Sequence, residues 1–87
     1  MQPITREELK AKLDNAYIIN IKIVSSTNVN VFFENFLCSV AFDIMAIYDL
    51  KNSVNFNLNC VRNMQADEKK IVINLEDKVD TVIEIKF

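Results

Sequence analysis

The sequence predicts an α+β fold of two layers, in which two helices cover one face of a four-stranded, mainly antiparallel sheet. Three observations support this prediction. The chain has 87 residues, enough for one domain. Hydrophobic residues make up 51% of it, and they follow a period near 3.6 in two segments and a period of two in four others. The expected order is α-β-α-β-β-β in a single domain, residues 1–87.

The first helix is expected over residues 5–14. Thr5 and Glu8 have the spacing of a capping box, in which each side chain accepts a hydrogen bond from the backbone amide of the other residue. Leu9 and Leu13 form one narrow apolar stripe. This pattern predicts a short helix that lies on the surface of the domain.

The first strand is expected over residues 17–24, where apolar residues alternate with a more mixed set. Its buried face is predicted to be Tyr17, Ile19, Ile21 and Ile23. The polar residues that follow, 25–28, predict a loop.

The segment 31–51 fits two interpretations. With a period of 3.6, its apolar residues fall on one face for more than four turns, and no turn residue interrupts them, which favours a helix. With a period of two, residues 40–48 would belong to a hairpin, and 29–49 would form two strands of a mostly-β meander with one N-terminal helix. Helix is the preferred interpretation, with Lys51 and Asn52 as its stop signals.

Three further strands are expected at 53–61, 70–75 and 79–87, where alternation is regular. Glycine is absent, although two-residue hairpin turns favour it, so we expect longer loops, or type I turns that use Asn and Asp. The predicted core joins the apolar faces of all these elements. It contains Leu9, Leu13, Ile19, Ile21, Ile23, Phe33, Phe36, Leu37, Val40, Ile44, Ile47, Phe56, Leu58, Ile73, Ile83 and Ile85.

Composition argues against an enzyme. Without glycine there is no phosphate-binding loop. Without histidine the commonest general base and metal ligand are missing. Cys38 and Cys60 are too few for a structural zinc site and are expected to be buried, free thiols. We therefore expect no catalytic residue, no metal site and no cofactor.

Charge and hydropathy argue against nucleic-acid and membrane binding. The net charge is −2, and the basic residues are spread along the chain, which does not suit a nucleic-acid binder. The most apolar stretch, 31–48, contains Glu34 and Asp43, each of which would cost about 2.5–3.5 kcal/mol in mid-bilayer. The N-terminal residues lack the apolar core of a signal peptide, so we expect a cytoplasmic protein.

By elimination, the sequence predicts a small acidic, non-catalytic protein that acts by binding a protein partner. An inhibitor, an immunity or antitoxin protein, or a small phage or mobile-element protein has this character. The alternative is a small-molecule-binding or regulatory module with a pocket between the sheet and the helices.

Two groups of residues are candidates for the interaction surface. A helix over 31–51 would have apolar residues on nearly every side. The side that does not contact the sheet would pair with a second copy in a homodimer. Under the strand-rich alternative, a dimer could form through a sheet edge. A row of asparagines on the strand 53–61 could hydrogen-bond a partner. The candidate residues are Phe32, Phe42, Ala46, Asn55, Asn57 and Asn59.

Overall fold

The computed structural model describes residues 1–87 and is mostly β, with 55% of the residues in strands and 14% in helices. Nine strands form two sheets, and there is one α-helix and one 3-10 helix. The elements are β1 (Gln2–Pro3), α1 (Arg6–Asp14), β2 (Ile18–Val24), β3 (Asn28–Glu34), β4 (Leu37–Ala41), β5 (Ile44–Tyr48), β6 (Ser53–Asn57), η1 (Leu58–Cys60), β7 (Val61–Ala66), β8 (Lys70–Leu75) and β9 (Val82–Lys86).

The two sheets differ in size, and both are antiparallel. The large sheet has six strands in the order β1-β7-β8-β9-β2-β3, and the small sheet has three in the order β4-β5-β6. The inner faces of both sheets and the apolar stripe of α1 contribute to one cluster of 15 buried residues. No outward-facing residue of either sheet is buried.

The predicted α+β fold with two helices and one four-stranded sheet is wrong. The segment expected to be a helix over 31–51 forms the end of β3, all of β4 and all of β5. The chain leaves the large sheet at Asn35, with φ 55, and reverses at Phe42, with φ 57. The meander alternative is nearer in strand content, but it allowed two strands over 29–49 where three form, and these belong to two different sheets.

Several predictions of single elements are confirmed. The capping box of α1 is confirmed: the Glu8 amide donates to Thr5 Oγ1 and the Thr5 amide donates to Glu8 Oε1, both over 3.1 Å. β2 and β8 lie where strands were expected. The strand expected at 53–61 instead ends at Asn57 and continues as η1, and β7 forms between the strands expected at 53–61 and 70–75, where no strand was predicted.

The core differs from the prediction mainly in the small sheet. Leu37 and Ile44 are exposed because they lie on the outer sides of β4 and β5, whereas a helix would have placed them on its buried face. Val40 lies opposite the buried Met45 on the inner side of β4, but it is exposed because it lines an open groove beside α1. Of the remaining predicted core residues, Ile23 and Phe36 are half-buried and the others are buried. The buried apolar residues that the prediction missed are Met45, Val54, Ala66 and Ile71.

Aspartate side chains hold three turns in place of glycine, as the absence of glycine predicted. Asp49 Oδ1 accepts from the amides of Lys51 and Asn52, and Asp67 Oδ1 accepts from the amide of Lys69 over 2.8 Å. Each of these bonds favours the charged carboxylate, and they lower the pKa of both Asp49 and Asp67.

The loop between β8 and β9 is the most strongly fixed of these turns. Asp77 Oδ2 accepts from the Thr81 hydroxyl over 2.6 Å, and its Oδ1 accepts from the amides of Thr81 and Val79 over 3.0 and 3.1 Å. The Thr81 hydroxyl, followed by the backbone amides, lowers the pKa of Asp77. The stabilisation therefore requires the ionised carboxylate.

We predict that Asp77→Asn lowers the free energy of unfolding at pH 7, because the charged acceptor of these hydrogen bonds is lost. The pKa of Asp77 is lower in the folded chain, so its stabilising effect is present above the unfolded pKa of about 4 and disappears as pH falls through the folded value. Urea unfolding at pH 7 and pH 3 should show a smaller difference between variant and unaltered chain at pH 3. Glu76→Gln removes the same charge from the neighbouring residue and serves as the control; an equal effect there would contradict the prediction.

Candidate functional site

The outer face of the small sheet carries no charged side chain. Its register places Ala46 between Ser39 and Asn55, and Ile44 next to Ala41 and Asn57. We call the nine outward positions of this sheet the uncharged face. They are Leu37, Ser39, Ala41, Ile44, Ala46, Tyr48, Ser53, Asn55 and Asn57.

The outer face of the large sheet has the opposite character. Lys22, Glu34 and Lys86 are exposed there, and Lys70 pairs with Glu84 over 2.9 Å. Mixed charges of this kind are typical of a solvated surface. The cores of protein interfaces, by contrast, are depleted of charged residues, so the uncharged face is the one that resembles a binding surface.

Phe42 is the most unusual residue at the end of the uncharged face. It lies in the two-residue turn between β4 and β5, it is 100% exposed, and its φ is 57. The two other residues with positive φ, Asn35 and Asp80, are of types that tolerate this region. A bulky residue there costs about 1–3 kcal/mol. Its fully exposed ring makes no contribution to the core that would offset this cost.

The turn that carries Phe42 is held from two sides. The amide of Leu58 donates to the carbonyl oxygen of Asp43 over 2.6 Å. Arg6 of α1 donates to Asp43 Oδ1 over 3.4 Å and to Asn59 Oδ1 over 3.1 Å. The ion pair is about half exposed and adds little to stability by itself. Together these bonds tie the turn to α1 and η1, so the Phe42 ring projects from a fixed support.

The structure brings together most of the residues that the sequence nominated. Ala46, Asn55 and Asn57 lie on the uncharged face, with Phe42 beyond the row of Ile44 and Asn57. Asn55 Oδ1 accepts from Ser53 Oγ over 3.2 Å, and Asn57 Oδ1 accepts from the Asn59 amide over 2.8 Å.

Two nominated residues lie elsewhere. Asn59 is in η1 behind the turn, where it binds Arg6. Phe32 lies on the outer face of the large sheet, where it lines a shallow pocket of about 370 Å³ beside Leu50. The expected dimer contact through a helix is wrong, because that helix does not form.

The sequence analysis missed part of this surface. Ile44 and Leu37 were assigned to the core, and Tyr48 was not assigned to any surface. The signal that would have found them is the two-residue period of 40–48, which places Ile44, Ala46 and Tyr48 together on one side of β5.

A groove between α1 and β4 is a second candidate site, separate from the uncharged face. Its volume is about 480 Å³. Its charged side chains are largely paired: Lys10 with Asp14 over 2.7 Å, and Arg6 with Asp43. The lining residues are Arg6, Glu7, Lys10, Ala11, Asp14, Val40 and Leu58.

The two cysteines are free and are placed differently from the prediction. Cys38 is half-buried and Cys60 is exposed in η1, so the expectation of two buried thiols is wrong. Burial raises the pKa of the Cys38 thiol, which Lys10 opposes. A raised pKa is the reverse of what activates a nucleophile. No three His, Cys, Asp or Glu residues are grouped to hold a metal ion.

Comparisons with known proteins add no relative. No protein-family model matches the chain, and no curated protein and no solved structure matches it. No helix of the structure combines the length and the apolar content needed to cross a membrane. Function is therefore inferred from the residues of the surface described above.

We predict that Phe42→Gly stabilises the chain by about 1 kcal/mol, because glycine adopts a positive φ without the clash of a Cβ, and the fully exposed ring gives up no internal contact. Urea unfolding measures the change. Leu50→Gly is the matched control, since Leu50 is an equally exposed apolar residue in the β5–β6 hairpin loop but does not have a positive φ, and glycine there should not stabilise. A destabilised Phe42→Gly would mean that the ring supports the fold.

Proposed function

We propose that this chain is a non-catalytic protein-interaction domain that binds a protein partner through the uncharged face, with Phe42 as the anchor. The observation that supports this most directly is the combination of full exposure and positive φ at Phe42. Strained residues that do not help the fold are concentrated at functional sites. Aromatic side chains are also among the residues that contribute most to binding energy at protein interfaces.

The chemistry of the face indicates the kind of partner. Phe42 would enter an apolar pocket, while Ile44, Ala46 and Tyr48 would lie against a flat apolar surface. Asn55 and Asn57 form a polar border on β6, where they would exchange hydrogen bonds with the partner. Because no outward residue of the small sheet is charged, the partner's contact surface would be uncharged as well.

The biological setting that fits is that of a small inhibitor, an immunity or antitoxin protein, or a protein of a phage or mobile element. Two free cysteines, one of them exposed, suit a reducing compartment such as the cytoplasm. Such proteins act by covering a surface of their partner, which requires a shaped face and no catalytic group.

A small-molecule-binding module is the second candidate, and the groove between α1 and β4 favours it. The groove's volume of about 480 Å³ is large enough for a metabolite. Its charged groups are mostly engaged with one another, which leaves few of them to orient a ligand. A change in thermal stability with a panel of metabolites, lost in Val40→Trp, would support this candidate instead.

We predict that Ala46→Arg prevents partner binding while the chain stays folded, because the variant places an unpaired charge at the centre of the uncharged face. Phe42→Ala should weaken binding about 30-fold or more, as expected for loss of an anchor worth at least about 2 kcal/mol. The measurement is affinity capture from the native host, followed by titration of the purified partner.

The matched control for these variants is Gln65→Arg, an exposed position on the large sheet, which should bind like the unaltered chain. Circular dichroism confirms that each variant is folded. If no stoichiometric protein is captured, or if Ala46→Arg binds as well as Gln65→Arg, the proposal is wrong.

A further inference from the structure

β3 is an edge strand of the large sheet that lacks the usual protection against pairing. It has seven residues, pairs with β2 in an unbroken register, and contains no Lys or Pro. Its single charge, Glu34, is at its end. Edge strands in soluble proteins are commonly short, carry Lys or Pro, or contain a bulge. β3 has none of these features.

The opposite edge of the same sheet is protected. β1 has only two residues, and one of them is Pro3, which has no amide hydrogen to donate. The two edges of the large sheet are therefore unequal: one is closed to further strands, and the other presents a full strand.

The hydrogen bonds at both ends of the β2–β3 hairpin show which backbone groups of β3 point outward. The Asn35 amide donates to the Tyr17 carbonyl over 2.9 Å, and the Ser25 amide donates to the Thr27 carbonyl over 3.1 Å. Odd-numbered residues of β3 therefore exchange hydrogen bonds with β2, since such pairs alternate along an antiparallel ladder. The backbone groups of Asn28, Asn30, Phe32 and Glu34 point away from the sheet.

We propose that a second copy of this chain pairs with this edge, β3 against β3, with Val31 on the two-fold axis. In this antiparallel register Asn30 lies opposite Phe32 of the second copy, and Asn28 lies opposite Glu34 of the second copy. All four outward-pointing residues of each strand then exchange backbone hydrogen bonds. A register centred on Asn30 or on Phe32 would leave residues of the strand unpaired.

The side chains also favour this register. Glu34, the only charged residue of β3, faces the amide of Asn28, so no like charges oppose each other. Phe32, which is 52% exposed, lies diagonal to Phe32 of the second copy, a separation that aromatic rings can bridge. On the inner face Val29, 46% exposed, lies opposite Phe33 of the second copy.

The unequal edges limit this assembly to two copies. Once both β3 edges are joined, the combined sheet ends on each side at β1 and its proline. A two-fold contact of this kind uses the same patch on both subunits and therefore closes. The uncharged face belongs to the other sheet, and none of its residues takes part in the strand pairing.

The first test is the mass in solution of the unaltered chain and of Asn30→Pro. We expect two chains for the former and one for the latter. Proline removes an amide hydrogen that points away from β2, so the circular dichroism of the variant should match that of the unaltered chain. A mass of one chain for the unaltered protein, or a dimeric and folded Asn30→Pro, would overturn the proposal.

The second test is cross-linking, and it does not depend on the proline variant folding. In a chain carrying Cys38→Ala and Cys60→Ser, Val31→Cys should form a disulfide between copies, since directly opposed Cα atoms of this pair type lie about 4.5 Å apart. Val29→Cys is the matched control: its counterpart in the second copy is four residues away along the strand, about 14 Å. Equal cross-linking of both, or none by Val31→Cys, would contradict the register.

Discussion

The absence of glycine is the constraint that shapes the rest of this structure, because every reversal of the chain must be made by a residue with a Cβ. Three aspartates solve this by accepting hydrogen bonds from amides in their own turns. Asn35 and Asp80 adopt positive φ, which such residues tolerate. The turn at Phe42 has neither an aspartate side chain that accepts from its amides nor an Asn or Asp at the positive φ, so its backbone stays strained. Arg6 and Leu58 bind the neighbouring residue Asp43.

The division into a six-stranded and a three-stranded sheet decides which surfaces are left open. One buried cluster joins both sheets and α1, so each sheet has one covered face. The large sheet keeps a charged outer face, as expected of a surface that stays in water. The small sheet keeps an uncharged one, and its strained turn lies at the end of that face. The two outer faces therefore differ in chemistry, because the strands of the small sheet contain no charged residue.

The two proposed contacts use different physical terms and lie on different sheets. Binding through the uncharged face depends on burial of an aromatic ring and of neutral side chains, with little contribution from charge. Pairing along β3 depends on backbone hydrogen bonds and on register, with side chains serving to select one alignment. A dimer joined at β3 would contain two copies of the uncharged face.

The sequence by itself determined the elements for which it carries one clear signal. The capping box places the start of α1, alternation places β2 and β8, and the lack of glycine predicts the aspartate turns. It also nominated Phe42, Ala46, Asn55 and Asn57, which the structure brings to one end and one face of the small sheet. Only the tertiary structure decided the segment 31–51. Its apolar residues fit a period of 3.6 over the whole segment and a period of two over 40–48, and the longer pattern favoured a helix. The strands form instead because β3 pairs with β2, β4 and β5 pair with each other and with β6, and their inner residues join the buried cluster with α1 and the large sheet. The sequence did not indicate the chain reversal at Phe42, because an aromatic residue is unfavourable at positive φ. The large sheet and α1 pack against one side of the small sheet and cover it. That packing therefore decides which residues of β4 and β5 face outward.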